Sequence, residues 1–378
     1  MVHRPCISAP KSFKRSPFLF FILCMMFLAA CSSNASTWEG RPCSPTLACG
    51  GGTVCDSVTQ RCRLWNYEPL GTLDGSLSDQ SMIIDAWKSD GSSSLTTQTG
   101  SYVGDGKSNR LISTEFAPAW VLIKGDADNA IQEESAAVLR SVTMPAGLAK
   151  PLKGDQAMRH DLILELKSNG FSLGSHLMVN QPSITYYWIA MREHPGLHLG
   201  IYQGTGEVSA IHGVPFRPSL VIVMCQDEAK RAIWRMASHE SSFNFSAGSP
   251  VTSAILTLDL DGFTVGSLSH VNETGANFHY IALQDQAGAI NTGSYDGDGI
   301  KNREVDSVGF FPRYVVVRNA SISNDPLQRF ASMPKGYSIN FRGISNDYGI
   351  QDFTSKGFTV GGNVYTNDKN VPYIYFAF

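Results

Sequence analysis

Two short motifs in this chain carry residue types that could do chemistry. Residues 170–174 read G-x-S-x-G, the pattern in which a sharp strand-to-helix turn exposes a serine nucleophile, here Ser172. Asp296 and Asp298 stand two residues apart in a glycine-rich stretch, where their carboxylates could converge on a calcium ion. Taken alone, the first motif indicates a hydrolase and the second a calcium site.

Acid–base and metal chemistry have little further support in the sequence. His239 and Glu240 are the only pair that suggests a base and an acid for an enzyme. The nine histidines show no spacing typical of metal ligands. We therefore expect no cofactor and no metal centre, and we expect that the protein is not an enzyme.

The elements that must position these residues recur three times along the chain. Glycine-rich segments open at Gly100, Gly200 and Gly293, so the copies are offset by 100 and then by 93 residues. Each copy continues with a Phe-x-Pro step, an apolar run, an arginine, a Gly-Phe segment, an asparagine and a final aromatic run. The recurring polar residues are Arg140, Arg235, Arg329, Asn180, Asn272 and Asn367. A register held over so many positions indicates duplication of one unit.

Comparison of the copies weakens both motifs. Threonine stands at the Ser172 position in the other two copies, which favours a hydroxyl group on a strand surface over a nucleophile. Thr205 replaces Asp298 in the second copy, so the acidic pair is not a constant feature of the repeat. We therefore expect neither a hydrolase nucleophile nor a calcium ion at these positions.

A unit of this length can close its own hydrophobic core. Its segments are short and rich in Val, Ile, Tyr and Phe, and 162–167 and 255–260 alternate as half-buried strands do. Roughly six to eight short strands per copy predict a β-sandwich or jelly roll. We therefore expect an all-β protein with three tandem antiparallel domains, at 87–191, 192–285 and 286–378.

The succession of motifs covers about Trp87 to Phe378. It resembles tandem β repeats of about 95 residues in uncharacterised secreted bacterial lipoproteins and in phage tail-fibre-like proteins. Taken copy by copy, the order of strands is also similar to the H-type lectin sandwich. The lectin resemblance implies a sugar-binding module and assigns no sugar-contacting residue in this chain.

The first thirty residues have the pattern of an export signal. Basic residues precede an apolar run at 17–30, which is too short to span a bilayer stably. The run ends in Leu-Ala-Ala before Cys31, which resembles the lipobox of bacterial lipoproteins. The resemblance implies a signal peptide at 1–30, lipidation of Cys31 and a tether at 31–42. Because Ser32 follows the cysteine, it also implies retention at the outer membrane of a Gram-negative envelope.

A cysteine-rich segment at 43–62 follows the tether, and a linker at 63–86 follows that segment. The cysteines of this segment are Cys43, Cys49, Cys55 and Cys62. In an exported chain they predict two disulfides with three alternative connectivities, each bridge contributing about 2–4 kcal/mol. Zinc is the alternative, but the C-x2-C knuckle is absent. Cys225 ends an apolar run, so we expect a buried, unreactive thiol.

The net charge of the chain and its recurring polar residues limit the kinds of ligand that the protein could bind. The formal net charge of -3 shows no basic excess, so we expect no nucleic acid. The recurring arginines and asparagines have two interpretations, as structural partners of the backbone or as an equivalent ligand groove on each copy. The aromatic residues available to a sugar site are Tyr102, Trp120, Trp188 and Trp234.

The hypothesis that joins these features is a non-catalytic envelope lipoprotein that binds a ligand multivalently. Three weak sites on one chain would gain avidity against arrayed targets, of which glycans and surface proteins are examples. The acyl anchor makes the lipid bilayer the other expected partner. The alternative is a structural spacer, whose copies hold the cysteine-rich segment or pack against a partner.

Overall fold

The computed structural model describes residues 53–56, 61–64, 97–126, 135–342, 345–346 and 348–378. The chain divides into two compact units, Met1–Gly91 and Ser92–Phe378. In the first unit, β1 (Thr53–Asp56) pairs antiparallel with β2 (Arg61–Leu64), and Cys55 stands opposite Cys62 in the register.

Several sequence predictions fall on residues outside the described part of the chain. These are the signal peptide, the tether, the linker beyond Leu64, the lipidation site Cys31, and Cys43 and Cys49 of the cysteine-rich segment. The lipid anchor and the disulfides therefore stay predictions. Among the described residues, no helix has the length and apolar character that crossing a membrane requires.

The second unit consists of three tandem antiparallel β-sandwiches, as the repeat predicted. The elements of repeat 1 are β3 (Thr97–Val103), β4 (Arg110–Ser113), β5 (Pro118–Gly125), β6 (Val138–Ser141), β7 (Lys150–Pro151), β8 (Ile163–Lys167), β9 (Gly170–Leu173), the helical turn α1 (Leu177–Asn180) and β10 (Thr185–Arg192). They form a large sheet with the order β3-β10-β5-β6-β7 and a small sheet with the order β4-β9-β8. Every strand pair in both sheets is antiparallel.

Repeat 2 has the same plan. Its elements are β11 (Leu197–Gln203), β12 (Ser209–His212), β13 (Leu220–Cys225), β14 (Ile233–Met236), β15 (Ser242–Asn244), β16 (Ile255–Asp259), β17 (Gly262–Val265), the helical turn α2 (Ser269–Asn272) and β18 (Asn277–Leu283). The large sheet has the order β11-β18-β13-β14-β15, and the small sheet has the order β12-β17-β16.

Repeat 3 adds one short strand to the plan. Its strands are β19 (Asn291–Asp296), β20 (Arg303–Val305), β21 (Tyr314–Asn319), β22 (Leu327–Phe330), β23 (Ser338–Asn340), β24 (Ser345–Asn346), β25 (Ile350–Thr354), β26 (Gly357–Val360) and β27 (Pro372–Ala377). The large sheet has the order β19-β27-β21-β22-β23-β24, and the small sheet has the order β20-β26-β25.

Each large sheet is buried on both faces, which explains its continuous apolar runs. On β5, Val121 and Ile123 point into a core between the two sheets of repeat 1. Trp120 and Leu122, on the opposite face, belong to a fourth core to which all three repeats contribute. Repeats 2 and 3 each have a core between their own two sheets as well. The opposite face of their large sheets packs in the shared core.

Aromatic rings from different repeats meet in the shared core. The ring centroids of Trp120 in repeat 1 and Phe378 in repeat 3 lie 5.8 Å apart. Those of Trp234 in repeat 2 and Phe376 in repeat 3 lie 5.5 Å apart, in an edge-to-face arrangement. The three sandwiches therefore pack as one body, although each has its own core.

A buried lysine joins repeat 1 to repeat 2. The Lys150 ammonium donates to the carbonyl oxygens of Cys225 at 3.1 Å and Lys230 at 2.7 Å. Beside it, the Asp155 carboxylate accepts two hydrogen bonds from the Arg231 guanidinium, at 3.0 and 2.6 Å. The side chains that join repeats 1 and 2 are thus a lysine and an Asp–Arg pair, whereas an arginine joins repeats 2 and 3.

The remaining junctions close a ring. Arg318 of repeat 3 is fully buried and donates to the carbonyl oxygens of Ser246 at 3.2 Å and Gly248 at 2.5 Å in repeat 2. The N–H group of Ala137 in repeat 1 donates to the carbonyl oxygen of Phe341 in repeat 3 at 3.0 Å. Head-to-tail contacts that return to the first unit form a closed ring, here within one chain.

Candidate functional site

The recurring asparagines are buried, and each one binds the loop that joins the first two strands of its repeat, which we call the opening loop. Asn180 Oδ1 accepts the N–H group of Asp105 at 3.0 Å, and its Nδ2 donates to the carbonyl oxygen of Lys107 at 2.8 Å. Asn272 and Asn367 make the equivalent bonds in the other two copies. These amides are engaged by the backbone, so the structural interpretation accounts for them and a ligand groove does not.

The recurring arginines bind backbone carbonyl groups near their own strands. Arg140 donates to the carbonyl oxygen of Pro145 at 2.9 Å, and Arg329 donates to that of Pro334 at 2.7 Å. Arg235 donates to two carbonyl groups of β16. Burial lowers the pKa of each guanidinium, and the carbonyl dipoles offset this cost. The arginines therefore also have structural partners rather than a common groove.

In the candidate calcium site, the carboxylate of Asp298 already accepts hydrogen bonds from the protein. Asp298 Oδ1 accepts the N–H group of Ile300 and an amide N–H of Asn367, both at 2.8 Å. These bonds and the Arg303 guanidinium, 3.5 Å from Oδ2, lower the pKa of Asp298. Asp296 is exposed at the end of β19. In the described part of the chain, no group of three or more His, Cys, Asp or Glu residues could hold a metal ion.

The same place in the other copies confirms a structural role for Asp298. In repeat 1, Asp105 lies 3.8 Å from Arg110, which matches the pair in repeat 3. In repeat 2, threonine replaces the aspartate and serine replaces the arginine at the equivalent strand position. The two hydroxyl groups contact each other, with Thr205 Oγ1 2.7 Å from Ser209 Oγ. An ion pair and a hydroxyl pair thus hold the same loop, and neither arrangement leaves open carboxylate oxygens for a cation.

The serine motif lies within a sheet. Ser172 is on β9, the middle strand of the small sheet, and only 4% of it is exposed. A Cβ atom at Gly170 would lie 2.1 Å from the carbonyl oxygen of Ile112, so close pairing of the strands requires glycine there. The motif glycine therefore serves strand packing and not a nucleophile elbow.

The other enzyme candidate is a turn residue. His239 Nδ1 accepts the N–H group of Ser241 at 3.1 Å, and its ring packs against Phe243 with centroids 5.0 Å apart. Burial lowers the pKa of His239. Its own turn therefore holds the imidazole, and the Glu240 carboxylate acts on the pKa of His239 only as a nearby charge that opposes the effect of burial.

The aromatic residues considered for a sugar site lie in cores. Tyr102, Trp120, Trp188 and Trp234 are each less than one-tenth exposed. They pack against other rings, as Trp188 does against Phe171. None of them presents a face to a solvent-borne ligand.

A groove that the sequence analysis missed lies where repeat 1 meets repeat 2. It has a volume of about 500 Å³, within the range of small-molecule sites, roughly 300–1,000 Å³. A turn of repeat 1, the connection between the repeats and the start of β11 form its walls. The lining residues are Val142, Thr143, Glu193, His194, Pro195, Leu197, His198 and Leu199.

The polar lining residues are Thr143, Glu193, His194 and His198, but the His198 ring packs against Tyr280 on the face of β11 opposite to Leu197 and Leu199. Burial lowers the pKa of His194 and His198, so both rings are neutral at pH 7. His194 Nδ1 accepts the N–H group of Gly196 at 3.0 Å, which places the proton of the neutral ring on Nε2. The His198 ring lies 5.9 Å from the Tyr280 ring, tilted by 30°.

A buried hydrogen-bond chain lies behind the groove wall. Thr143 Oγ1 is 3.1 Å from Nδ1 of His279, and Nε2 of His279 is 2.9 Å from Oε1 of Gln226. Because Gln226 donates its own N–H to Asp227 at 2.7 Å, its oxygen faces the imidazole, and His279 Nε2 is the donor. Burial lowers the pKa of His279 to about 4.

No protein-family model matches this chain, and no curated protein sequence matches it. The assignment of function therefore rests on the geometry of the described residues and on the resemblances in the sequence.

Proposed function

We propose that this protein is a non-catalytic binding or adhesion protein of the cell envelope, held in the outer membrane by acyl chains on Cys31. The resemblance of the first thirty residues to a lipoprotein signal supports the anchor. The observation that carries the binding proposal is the preformed groove between repeats 1 and 2, held by a ring of three sandwiches. A rigid wall of this kind lowers the entropic cost of binding a ligand.

We propose a glycan-like ligand, since the order of strands in each copy is similar to the H-type lectin sandwich. The recurring arginines and asparagines are engaged by the backbone, so they offer no common site on each copy. Avidity would then come from many anchored copies in one membrane rather than from three sites on one chain. Catalysis has less support, because Ser172 lies inside a sheet and His239 is held by its own turn.

The anchor and the binding function have separate tests. The wild-type protein should fractionate with outer membranes and incorporate labelled palmitate, and Cys31→Ser should do neither. The intact protein, printed at high density on a glycan array, should retain at least one glycan. An array without any bound glycan would contradict the binding proposal while leaving the anchor intact.

A structural spacer is the second candidate. The buried contacts at all three junctions favour it, because they make a stable body that needs no ligand. This alternative predicts an empty glycan array together with normal membrane fractionation. The two experiments above therefore distinguish the candidates.

A further inference from the structure

We propose that the open edge of β11, at the junction of repeats 1 and 2, binds an extended peptide segment of a partner protein as an additional strand of the large sheet of repeat 2. A protein segment is a second ligand class, beyond the glycan-like ligand proposed above. Three observations support it: the course of the groove, the direction of the main-chain groups of β11, and the way in which the other repeats close the same edge.

The groove between repeats 1 and 2 runs along the edge of β11. Leu197, His198 and Leu199 are consecutive, and all three line the groove. Because side chains alternate between the two faces of a sheet, the part of the strand that three consecutive residues share is its edge. β11 is an edge strand, since in the described part of the chain it pairs with β18 alone. A ligand in the groove therefore meets main-chain groups.

The hydrogen bonds of β11 show which residues direct their main-chain groups to this edge. Gln284 donates its N–H group to the carbonyl oxygen of Gly196 at 2.9 Å. Bonded pairs in an antiparallel ladder recur at every second residue, so Leu199 and Ile201 direct their N–H and C=O groups away from β18. Donors and acceptors that alternate along an extended backbone are complemented by a second extended chain.

The other two repeats close the equivalent edge within the protein. Thr292 of repeat 3 stands at the position of Leu199, and its N–H group donates to the Asp285 carboxylate at 2.9 Å. At the junction of repeats 3 and 1, the turn residue Ser332 donates its hydroxyl proton to the carbonyl oxygen of Gly100 in β3 at 2.9 Å. Contacts within the chain thus already reach both of these strands.

The corresponding residues at the junction of repeats 1 and 2 have other roles. Thr143 stands at the position of Ser332, but its hydroxyl oxygen lies 3.1 Å from the His279 ring of β18. Glu193 stands at the position of Asp285, one residue closer along the chain to the strand that follows, and it lines the groove. Its carboxylate is the only charge among the described lining residues, which favours a segment with basic flanks over an acidic one.

The edge of β11 also lacks the residues that commonly keep strand edges from pairing. The sequence of 197–203 contains no charged residue and no proline. Ile201 is 53% exposed at this edge, where repeats 1 and 3 have Ser101 and Ser294. Val142, in the wall that repeat 1 contributes, is also 53% exposed. Apolar side chains beside an open main chain favour a segment in which apolar residues alternate with polar ones.

The test measures binding of fluorescent peptides to the full-length protein by anisotropy. The panel consists of lysine-flanked peptides in which threonine alternates with valine, isoleucine, phenylalanine or tyrosine, and wild type should bind at least one of them. N-methylation of one alternating set of residues should abolish binding, and N-methylation of the other set should not, because only one set directs its N–H groups to β11. Equal tolerance of both sets would overturn strand pairing.

Two substitutions at one position test the site. Ile201→Pro removes an N–H group that β18 does not use and should weaken peptide binding about tenfold. Ile201→Ser, which installs the residue of the other repeats, keeps the main chain and should weaken binding about three- to tenfold through lost apolar contact, with unchanged thermal unfolding. Ser101→Pro, at the same place in repeat 1, and Val208→Ser, at an exposed apolar residue outside β11, should bind as wild type does.

Each contrary result overturns a stated part of the proposal. Equal peptide binding by wild type and both Ile201 variants would overturn the site, and no binding of any peptide would overturn the ligand class. A dimer in sedimentation velocity that Ile201→Pro abolishes would overturn the partner segment, because a second copy would then occupy the edge. If a glycan is still retained on the array, these results leave the proposed function intact, whereas peptide binding with an empty array would overturn the glycan alone.

Discussion

Acid should weaken the junction between repeats 1 and 2 through one buried histidine. His279 is fully buried between Thr143 of repeat 1 and Gln226 of repeat 2. Burial lowers its pKa from the ordinary value of 6.5 to about 4; the Arg140 guanidinium adds to this effect, and the Asp227 carboxylate partly offsets it.

The sign of the effect follows from which state binds the proton. Below pH 6.5 the unfolded chain protonates His279, whereas the folded protein keeps the ring neutral until the pH approaches 4. Acidification therefore favours the unfolded state throughout this window. The stability from the neutral ring is fully present above pH 6.5, and it falls by about 2 kcal/mol at pH 5, since each pKa unit corresponds to about 1.4 kcal/mol.

Urea unfolding at pH 7 and pH 5 measures this loss when wild type is compared with His279→Gln. Glutamine retains an amide for hydrogen bonding but cannot titrate, so the variant should lose about 2 kcal/mol less than wild type between the two pH values. Equal losses for wild type and His279→Gln would refute the reasoning, because the proton would then be taken up elsewhere.

Further substitutions test the structural roles assigned above. Lys150→Met should reduce the free energy of urea unfolding by about 3 kcal/mol, because the buried carbonyl groups of Cys225 and Lys230 lose their donor, and unchanged stability would contradict this role. Asn272→Ala should cost about 2–3 kcal/mol by the same measurement, since the opening loop of repeat 2 loses its fastening; an effect on ligand binding without loss of stability would favour a ligand role instead. Ser172→Ala should change stability by less than about 1 kcal/mol and should leave any ester hydrolysis by the protein unchanged, whereas loss of such activity would restore the nucleophile.

The sequence predicted the sandwiches because the repeat aligns apolar runs, glycines and aromatic ends. It also contained a sign of the shared core, since 120–123 is a continuous apolar run, typical of a strand buried on both faces. Such a run does not reveal what covers the second face. Each copy was therefore expected to close its own core, and the fourth core emerged only from the packing of the repeats.

The polar positions were harder to interpret because recurrence does not distinguish a structural residue from a ligand contact. Burial and hydrogen-bond partners decide between them, and these depend on contacts such as the one between Asn180 and Asp105, far apart in the chain. The strand register adds a further sign: Thr205 and Ser209 of the second copy stand where Asp105 and Arg110 stand in the first, although the constant offset of 100 residues aligns Arg110 with Ala210. Paired change of this kind indicates mutual contact and argues against a calcium loop.

The groove could not be predicted because its walls come from two repeats and from the segment that joins them. His194 and His198 attract no attention as a sequence motif, since the histidines do not recur. The register of β11 turns Leu197 and Leu199 towards the junction and turns His198 towards Tyr280 within repeat 2.

Hydrogen exchange in increasing urea tests most directly whether the three repeats are one body. The central strands β5, β13 and β21 all contribute to the shared core, so their slowest amides should exchange with one common free energy of opening. A repeat whose central strand opens at a clearly lower free energy than the other two would contradict the shared core. It would also remove the rigid junction on which the proposed groove depends.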